Sequence, residues 1–249
     1  GLCIIARLQS SRLPGKALEE IAGKPSLAHL FERAIMAKHV AKSVLCTTTN
    51  IEDDALADLA MSYGIEVIRG DSNNVLSRLT YAIDEFDFDI VLRVTGDDIF
   101  LDPLHVELLV NYLRHYNLDY VSAKELPGGT EAEAFAASTL RMIERYAEDP
   151  EYTEYLTYYV EDPSFVQGRL PVEEKYRRNY SLSLDTREDL QIVTRILEAV
   201  YSKDEPYTLD KMLEYVDSNP SLCEFGMQGK RDTTIIREKT KLDFGLASR

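Results

Sequence analysis

The chain has no tryptophan, only three cysteines and four histidines, and no apolar run near the ~20 residues of a membrane span. Cys3, Cys46 and Cys223 are odd in number and lack metal-ligand spacing. This speaks against a disulfide framework and against a cysteine zinc site. Cys3 and Cys46 fall in predicted strands, where a small buried hydrophobe is the expected role. His29, His39, His105 and His115 occupy helical positions without HExxH or paired spacing, so structural roles are expected. Basic residues are in deficit: 28 Lys and Arg against 43 Asp and Glu, a formal net charge of −15. That argues against nucleic acid as a partner, since duplex binding needs a basic face. An anionic ligand must therefore be drawn in by a local cluster of cations or by a metal ion. No G-x-x-x-x-G-K-[ST] or G-x-G-x-x-G occurs, so neither a Walker loop nor a Rossmann fingerprint is present. No secretory leader is visible either, and a reduced, cytoplasmic protein without a membrane partner is expected.

What is present begins at the N-terminus. Leu2 to Ala6 is a short apolar run, long enough for a buried strand and too short for a helix. A polar loop follows, with Arg7, Ser10, Ser11, Arg12 and Lys16 around Pro14-Gly15. Proline presets one turn dihedral and glycine accepts the unusual one. Three cations thus stand within ten residues on a tight loop at a strand's C-terminal end, where open α/β sheets bind ligands. Three cations with backbone N–H groups suit a polyphosphate. The plain alternative is a solvated basic loop, against which the acidity of the rest of the chain counts.

Hydrophobic periodicity predicts strands at 43–47, 66–69, 90–94 and 120–122, and helices at 26–39, 50–63, 74–86 and from Asp102-Pro103 onward. Pro25 is expected in the first turn of the first helix, Asn50 and Asp102 at helix caps, and Gly64 at a helix end. Alternating short apolar strands and helices imply α/β architecture: a mostly parallel sheet sandwiched by helices. After Ser122 the pattern changes, with a strand at 132–137 and a helix at 139–147. The tyrosine- and glutamate-rich stretch that follows reads as an excursion from the sheet, with a helix near 153–161 and a strand at 165–170. A strand at 180–184 and helices after Thr186 and Thr208 complete the pattern, and the tail from Asn219 is less regular. The length of 249 residues fits one domain, 1–249, with an excursion at about 125–180.

The informative carboxylate is Asp97, in Val94-Thr95-Gly96-Asp97-Asp98 directly after the fourth strand. It is expected at the same sheet end as the basic loop. A carboxylate facing a triphosphate is unfavourable unless a cation lies between them, and Mg²⁺ is the usual bridge. A helix or turn cap is the ordinary alternative for such an aspartate. Asp185 likewise follows a predicted strand and precedes a helix, while Thr186 with Asp189 fits a capping box.

The loop A-R-x-x-S-x-R-L-P-G-K-x-L, carried by Ala6, Arg7, Ser10, Arg12, Leu13, Pro14, Gly15, Lys16 and Leu18, resembles the N-terminal signature of the sugar-activating cytidylyltransferases. These comprise the CMP-Kdo synthetases, the acylneuraminate cytidylyltransferases and the spore-coat polysaccharide cytidylyltransferase-like proteins. Gly96, Asp97, Asp102 and Pro103 match the family's G-D-x-x-x-x-D-P, although Ile99 stands where proline is usual. Asp185, Thr186, Glu188, Asp189 and Leu190 match its D-T-x-E-D-L. The resemblance covers roughly residues 2 to 201 in four or five islands.

It implies a nucleotide-diphospho-sugar transferase-like fold and a Mg²⁺-dependent transfer of CMP from CTP to an anionic acceptor, with pyrophosphate released. Lys16, Arg12 and Asp97 would carry catalysis. The nucleotide would be held by Ala6, Arg7, Ser10, Ser11, Arg12, Lys16, Thr48, Arg69, Arg78 and Asp97. Arg78 would reach the cytosine O2, unless it is an ordinary surface arginine. Asp97 and Asp185 would hold the metal. Glu131, Glu133, Glu154 and Tyr155 resemble acceptor-side positions, with Tyr155 where the family often has histidine. A homodimer through the tyrosine-rich excursion is also implied. Other readings stay open at this stage: another nucleoside triphosphate, a phosphonate acceptor, a metal-dependent glycosyltransferase or a non-catalytic nucleotide binder. A glycosyltransferase would typically show D-x-D, which Asp97-Asp98 does not supply.

Overall fold

The computed structural model describes residues 1–10, 12–203, 205–223 and 234–245. Nine strands are formed among them: β1 (Leu2–Ile5), β2 (Glu20–Ile21), β3 (Lys24–Pro25), β4 (Ser43–Thr48), β5 (Glu66–Gly70), β6 (Ile90–Thr95), β7 (Tyr120–Ser122), β8 (Glu133–Ala136) and β9 (Gln167–Arg169). Seven make the main sheet, in the order β5-β4-β1-β6-β8-β7-β9, and β2 and β3 form a small hairpin. The strands of the main sheet are parallel except β8, which runs against both β6 and β7. The mixed α/β class and mostly parallel sheet expected from the periodicity are therefore what the chain adopts.

The helices are α1 (Ser26–Met36), α2 (Asp54–Ser62), α3 (Val75–Phe86), α4 (Pro103–Tyr116), α5 (Ala137–Tyr146), α6 (Leu156–Tyr159), α7 (Arg187–Val200), α8 (Leu209–Asp217) and α9 (Thr234–Lys239). They cover both faces of the sheet. Alternate residues of β1 feed two separate cores: Leu2 and Ile4 pack towards α1, α2, α4 and α7, and Cys3 packs towards α3 and α5. Burial on both faces explains why β1 and β6 read as apolar runs rather than alternating ones. Cys3 and Cys46 are free buried thiols.

Chain order places the ligand-binding crevice. From β1 the chain moves outward through β4 to β5, then returns to the opposite side of β1 as β6. The C-terminal ends of β1 and β6 flank that switch point, where open α/β sheets leave a crevice. The two ends approach closely: the Gly96 N–H donates to the Ile5 carbonyl at 2.8 Å, and a Cβ on Gly96 would lie 2.8 Å from the Ala6 Cβ. Only glycine fits there.

Several local expectations need correction. Pro25 is not in the first turn of α1 but ends β3, with extended backbone just before the helix. Helix α1 stops at Met36, three residues short of His39. Asn50 makes no side-chain cap, because a single 3₁₀ turn (Ile51–Asp53) precedes α2. The strand expected off the sheet at 165–170 is β9, paired to β7 at the sheet's edge, and β8 lies inside the sheet. Seven residues of the stretch 125–180, those of β8 and β9, thus belong to the sheet. Residues 180–184 are extended but form no strand beyond one bridge, Gly128 to Ser181. Leu182 and Leu184 are buried in alternation, but their only backbone neighbours are single loop groups, the Gly128 carbonyl at 2.7 Å and the Asp97 carbonyl at 2.9 Å. Asn74, Asp102, Thr186 and Thr208 do cap helices, and Thr186 with Asp189 makes a complete capping box. Residues 224–233 and 246–249 of the tail lie outside the described residues.

Candidate active site

A cleft of about 450 Å³ lies over the β1 and β6 ends. The basic loop forms one wall. Its shape is fixed by backbone bonds: Gly15 N–H donates to the Leu8 carbonyl at 3.0 Å, and Gly15 itself sits in the left-handed region, φ 76°. The loop is also tied to β4. Asp53 accepts the Leu8 N–H at 2.8 Å with one carboxylate oxygen and the Thr48 hydroxyl with the other. On the far side, the Ser26 hydroxyl donates to the Lys16 carbonyl at 2.6 Å, which fastens the loop to the start of α1.

At the head of the cleft three elements converge on one ammonium. Lys16 Nζ lies 2.6 Å from Asp97 Oδ2 and 3.0 Å from Asp185 Oδ1. Arg12 adds a second cation to Asp185, at 2.9 Å. The Leu184 N–H to Asp97 carbonyl bond carries Asp185 to its place beside Asp97, and Asp189 then accepts the Asp185 and Thr186 N–H groups at 3.0 and 2.8 Å. Burial alone pushes the Lys16 ammonium down and the Asp97 carboxyl up. The ion pair overrides it in both: Lys16 is raised and Asp97 is lowered.

Next to this triad stand two carboxyls of opposite tendency. Asp98 accepts the Thr95 hydroxyl at 2.6 Å and the Ser183 hydroxyl at 2.9 Å. Burial, then the Asp97 charge, pushes its carboxyl up to about 7. Burial, then Asp98, pushes Glu131 up to about 8. Both line a side pocket of about 190 Å³ that shares Arg93, Thr95 and Thr157 with the cleft.

The expected site residues distribute as follows. Ala6, Arg7, Ser10, Arg12, Lys16, Arg78, Asp97, Asp185, Glu154 and Tyr155 all line the cleft. Ser11 lies outside the described residues. Thr48 and Arg69 do not line it. Thr48 acts on the loop through Asp53, and Arg69 binds the Thr48 and Asn50 carbonyls and Asp54. Glu131 and Glu133 line the side pocket instead, apart from Glu154 and Tyr155. Both Glu133 oxygens are engaged, by Arg93 at 2.7 Å on one and by Tyr120 and Thr157 on the other. Arg7 donates to the Ser72 carbonyl at 2.7 Å and faces Glu154 at 3.9 Å. Arg78 is almost wholly buried. It donates to the Cys46 carbonyl at 2.9 Å, while its Nε has no partner.

Sequence reasoning missed Arg93. It donates to the Glu154 carbonyl at 2.9 Å as well as to Glu133, so it pins the 154–157 wall to β6. The available signal was one charge inside the otherwise apolar run IVLRVT. Asp98 and Asp53 were also passed over as site residues, and no spacing rule singles them out.

The donor set at the head of the cleft suits a hard cation. Asp97 and Asp185 offer only oxygens, already aimed at one positive charge. Among the described residues no three or more His, Cys, Asp or Glu side chains are grouped so that they alone could hold a metal ion. An ion there would complete its shell from phosphate oxygens and water, as Mg²⁺ commonly does.

Residues 2–220 match the family described as Cytidylyltransferase. The spore coat polysaccharide biosynthesis protein SpsF of Bacillus subtilis is 27% identical over 225 residues, 87% of this chain and 93% of that protein. A 3-deoxy-manno-octulosonate cytidylyltransferase of Haemophilus influenzae is 34% identical over 124 residues, 48% of this chain and 47% of that protein. A solved cytidylyltransferase of Leptospira borgpetersenii superposes with a TM-score of 0.83 at 26% identity, covering 93% of this chain and 98% of that one. The family resemblance read from the basic loop thus holds along most of the chain, which belongs to the cytidylyltransferase family as a CTP-dependent nucleotidyltransferase.

Proposed function

We propose that the protein transfers CMP from CTP to an anionic sugar of the kind that feeds surface polysaccharide, releasing pyrophosphate, with Mg²⁺ as its metal. The observation that carries this reading is the convergence of Lys16, Arg12, Asp97 and Asp185 over the ends of β1 and β6. An acceptor hydroxyl or oxyanion attacks the α-phosphorus in line with the departing pyrophosphate. Chemistry of this kind is mostly positioning and charge stabilisation.

The chain's own groups divide that work. Arg12 and Lys16 neutralise the β and γ phosphates. Lys16 turns from the carboxylates to the phosphates as the nucleotide enters, and Asp97 and Asp185 are the residues that would hold Mg²⁺. When bound there, the ion supplies Lewis acidity and orients the oxygens around phosphorus. Arg78 lines the cleft, and its guanidinium is the donor suited to the cytosine edge. On the acceptor side, Lys124 lines the side pocket and makes no ion pair among the described residues, so it suits an acceptor carboxylate. Glu131, raised to about 8 and so protonated at neutral pH, donates to a sugar hydroxyl rather than repel the acceptor. A homodimer through residues 131–178 forms part of this proposal; it rests on the family resemblance, because Tyr159 is wholly buried and Tyr155 and Tyr158 line the cleft.

The test is pyrophosphate release with CTP, UTP, GTP and ATP, each against a panel of acidic sugars and phosphonates, with and without Mg²⁺. A site that pairs with one base's edge leaves polar groups unpaired with the wrong base, so CTP is expected to dominate. Equal turnover of CTP and GTP would remove the cytosine assignment. Turnover with phosphonates alone would replace the sugar.

A further inference from the structure

The family match ends at residue 220, and the tail beyond it is described at residues 234–245. This stretch docks on the segment that supplies one wall of the cleft. Ala147 and Leu242 form an antiparallel bridge. The Glu148 N–H donates to the Lys241 carbonyl at 3.0 Å, and the Asp243 N–H donates to the Tyr146 carbonyl at 2.8 Å. The Tyr146 and Phe244 rings meet at 5.0 Å, and Leu242 packs on the core that holds Leu156 and Tyr159. Lys239 faces Asp149 at 3.8 Å. Further along, Arg237 donates to Glu161, and its guanidinium lies 4.7 Å from the centre of the Tyr158 ring. The tail thus holds both ends of residues 146–161.

The chain between those two ends has little stability of its own. Pro150–Tyr155 is 3₁₀ helix, and α6 is a single turn. Helices this short do not persist in isolation, so packing decides their place. Yet Glu154, Tyr155, Thr157 and Tyr158 all line the cleft. On the inner side Arg93 holds the Glu154 carbonyl, and the Thr157 hydroxyl donates to Glu133 at 2.9 Å. Thr157 borders both the cleft and the side pocket, which puts this wall on the acceptor side. Tyr158 is held from outside, by the guanidinium over its ring. Glu161 in turn fixes the guanidinium.

We propose that Arg237 is a positioning residue for the transfer reaction. Acting through the Tyr158 ring, it sets the wall against which the acceptor is held. The assignment of that wall to the acceptor rests on the function proposed above. Arg237 is 51% exposed and Glu161 40%, so their ion pair adds little to global stability. A guanidinium stacked on a ring is directional, and an ammonium can replace it in part. Removing Arg237 therefore loosens the wall and leaves the fold intact.

The test uses the full chain with CTP, Mg²⁺ and 3-deoxy-manno-octulosonate as the acidic-sugar probe. A lost contact can shift the wall's equilibrium only by its own free energy. Arg237→Ala is thus expected to raise the KM for the sugar roughly three- to tenfold, the range of one cation–π contact and one exposed ion pair. The kcat is expected to stay within about twofold, with CTP affinity by calorimetry and the melting temperature unchanged. Hydrogen exchange is expected to speed up in residues 150–161 and nowhere in the β1 or β6 strands. Arg237→Lys is expected to recover most of the KM. In a Tyr158→Ala background, Arg237→Ala is expected to add nothing further. An unchanged KM with unchanged exchange overturns the proposal. So does a fall in kcat matched by a fall in melting temperature, which marks a merely structural residue. An Arg237→Ala effect that persists without the Tyr158 ring overturns the route through Tyr158. A wild type that does not turn the sugar over removes that sugar from the proposed function. Exchange at residues 150–161, in the single and double variants, then decides the role of Arg237 by itself.

Discussion

Replacing Lys16 by methionine tests the centre of the site with least disturbance, because the apolar stem is kept and only the ammonium is removed. The Lys16 side chain is 14% exposed, and those of its partners Asp97 and Asp185 are 21% and 13% exposed, so solvent screens the triad poorly. Asp97 Oδ2 and Asp185 Oδ1, at 2.6 and 3.0 Å from the same nitrogen, can be no more than about 5.6 Å apart. At an effective dielectric of ~20, two unit charges at that distance repel by roughly 3 kcal/mol. Arg12 remains on Asp185 and offsets part of this. A net loss of about 2–4 kcal/mol in unfolding free energy is therefore expected at pH 8.

The pH dependence carries the sharper signature. In the wild type Asp97 titrates below its unfolded value, so its stabilisation is present above the unfolded pKa of ~3.9. It is lost only as pH falls through the lower folded value, and it barely changes between pH 8 and 5. In the variant the facing carboxylates raise one another, and one takes up a proton in the folded state well above pH 4. Acidification to pH 5 then stabilises the variant relative to the wild type. Urea unfolding at the two pH values is expected to show the deficit shrinking by at least ~1 kcal/mol at pH 5. CTP affinity by calorimetry is expected to fall ~10- to 100-fold, the loss of one charge-assisted contact. An equal deficit at both pH values, or an unchanged protein at pH 8, refutes the shared-ammonium account.

Asp97→Asn and Asp185→Asn are each expected to cut pyrophosphate release by orders of magnitude. The double variant should lose little more, since the two act as a unit, and near-normal turnover in either single variant reassigns that residue as a cap. Asp98 and Glu131 are raised to about 7 and about 8, so their contribution is full at acid pH and lost as pH rises through those values. The melting temperature is expected to decline from pH 6 to 8.5 in the wild type and to decline less in Asp98→Asn; parallel curves count against it. Thr48→Val removes the hydroxyl that holds Asp53, and should cost about 1–3 kcal/mol and raise the KM for CTP more than it lowers kcat. An unchanged KM would detach β4 from the loop. Light scattering at micromolar concentration is expected to give twice the chain mass, and the mass of a single chain excludes the homodimer.

What the sequence determined by itself is what short-range chemistry controls. An apolar run such as Leu2–Ile5, too short for a helix, reads as a buried strand, and caps such as Asp102 and Thr186 act on N–H groups three residues away. The turn at Pro14-Gly15 and the placing of Arg7, Arg12 and Lys16 beside it are local in the same sense. Pairing was not legible, because a strand's partner is chosen by the whole sheet. Nothing in EAFA says that β8 runs antiparallel between β6 and β7, and nothing in YSLSL says that its alternation is met by loops. The carboxylates show the difference most clearly. From sequence, Asp97 and Asp185 are two acids expected at the nucleotide's end of the sheet, with only a metal ion implied between them. In the folded chain the Lys16 ammonium stands between them, so losing Asp97 breaks an ion pair instead. Lys16 and Asp97, 81 positions apart, meet there because the parallel strands β1 and β6 bring their C-terminal ends to one edge, whereas Asp185, 169 positions from Lys16, is carried to it by the Leu184 N–H bond to the Asp97 carbonyl, a contact only the tertiary fold sets.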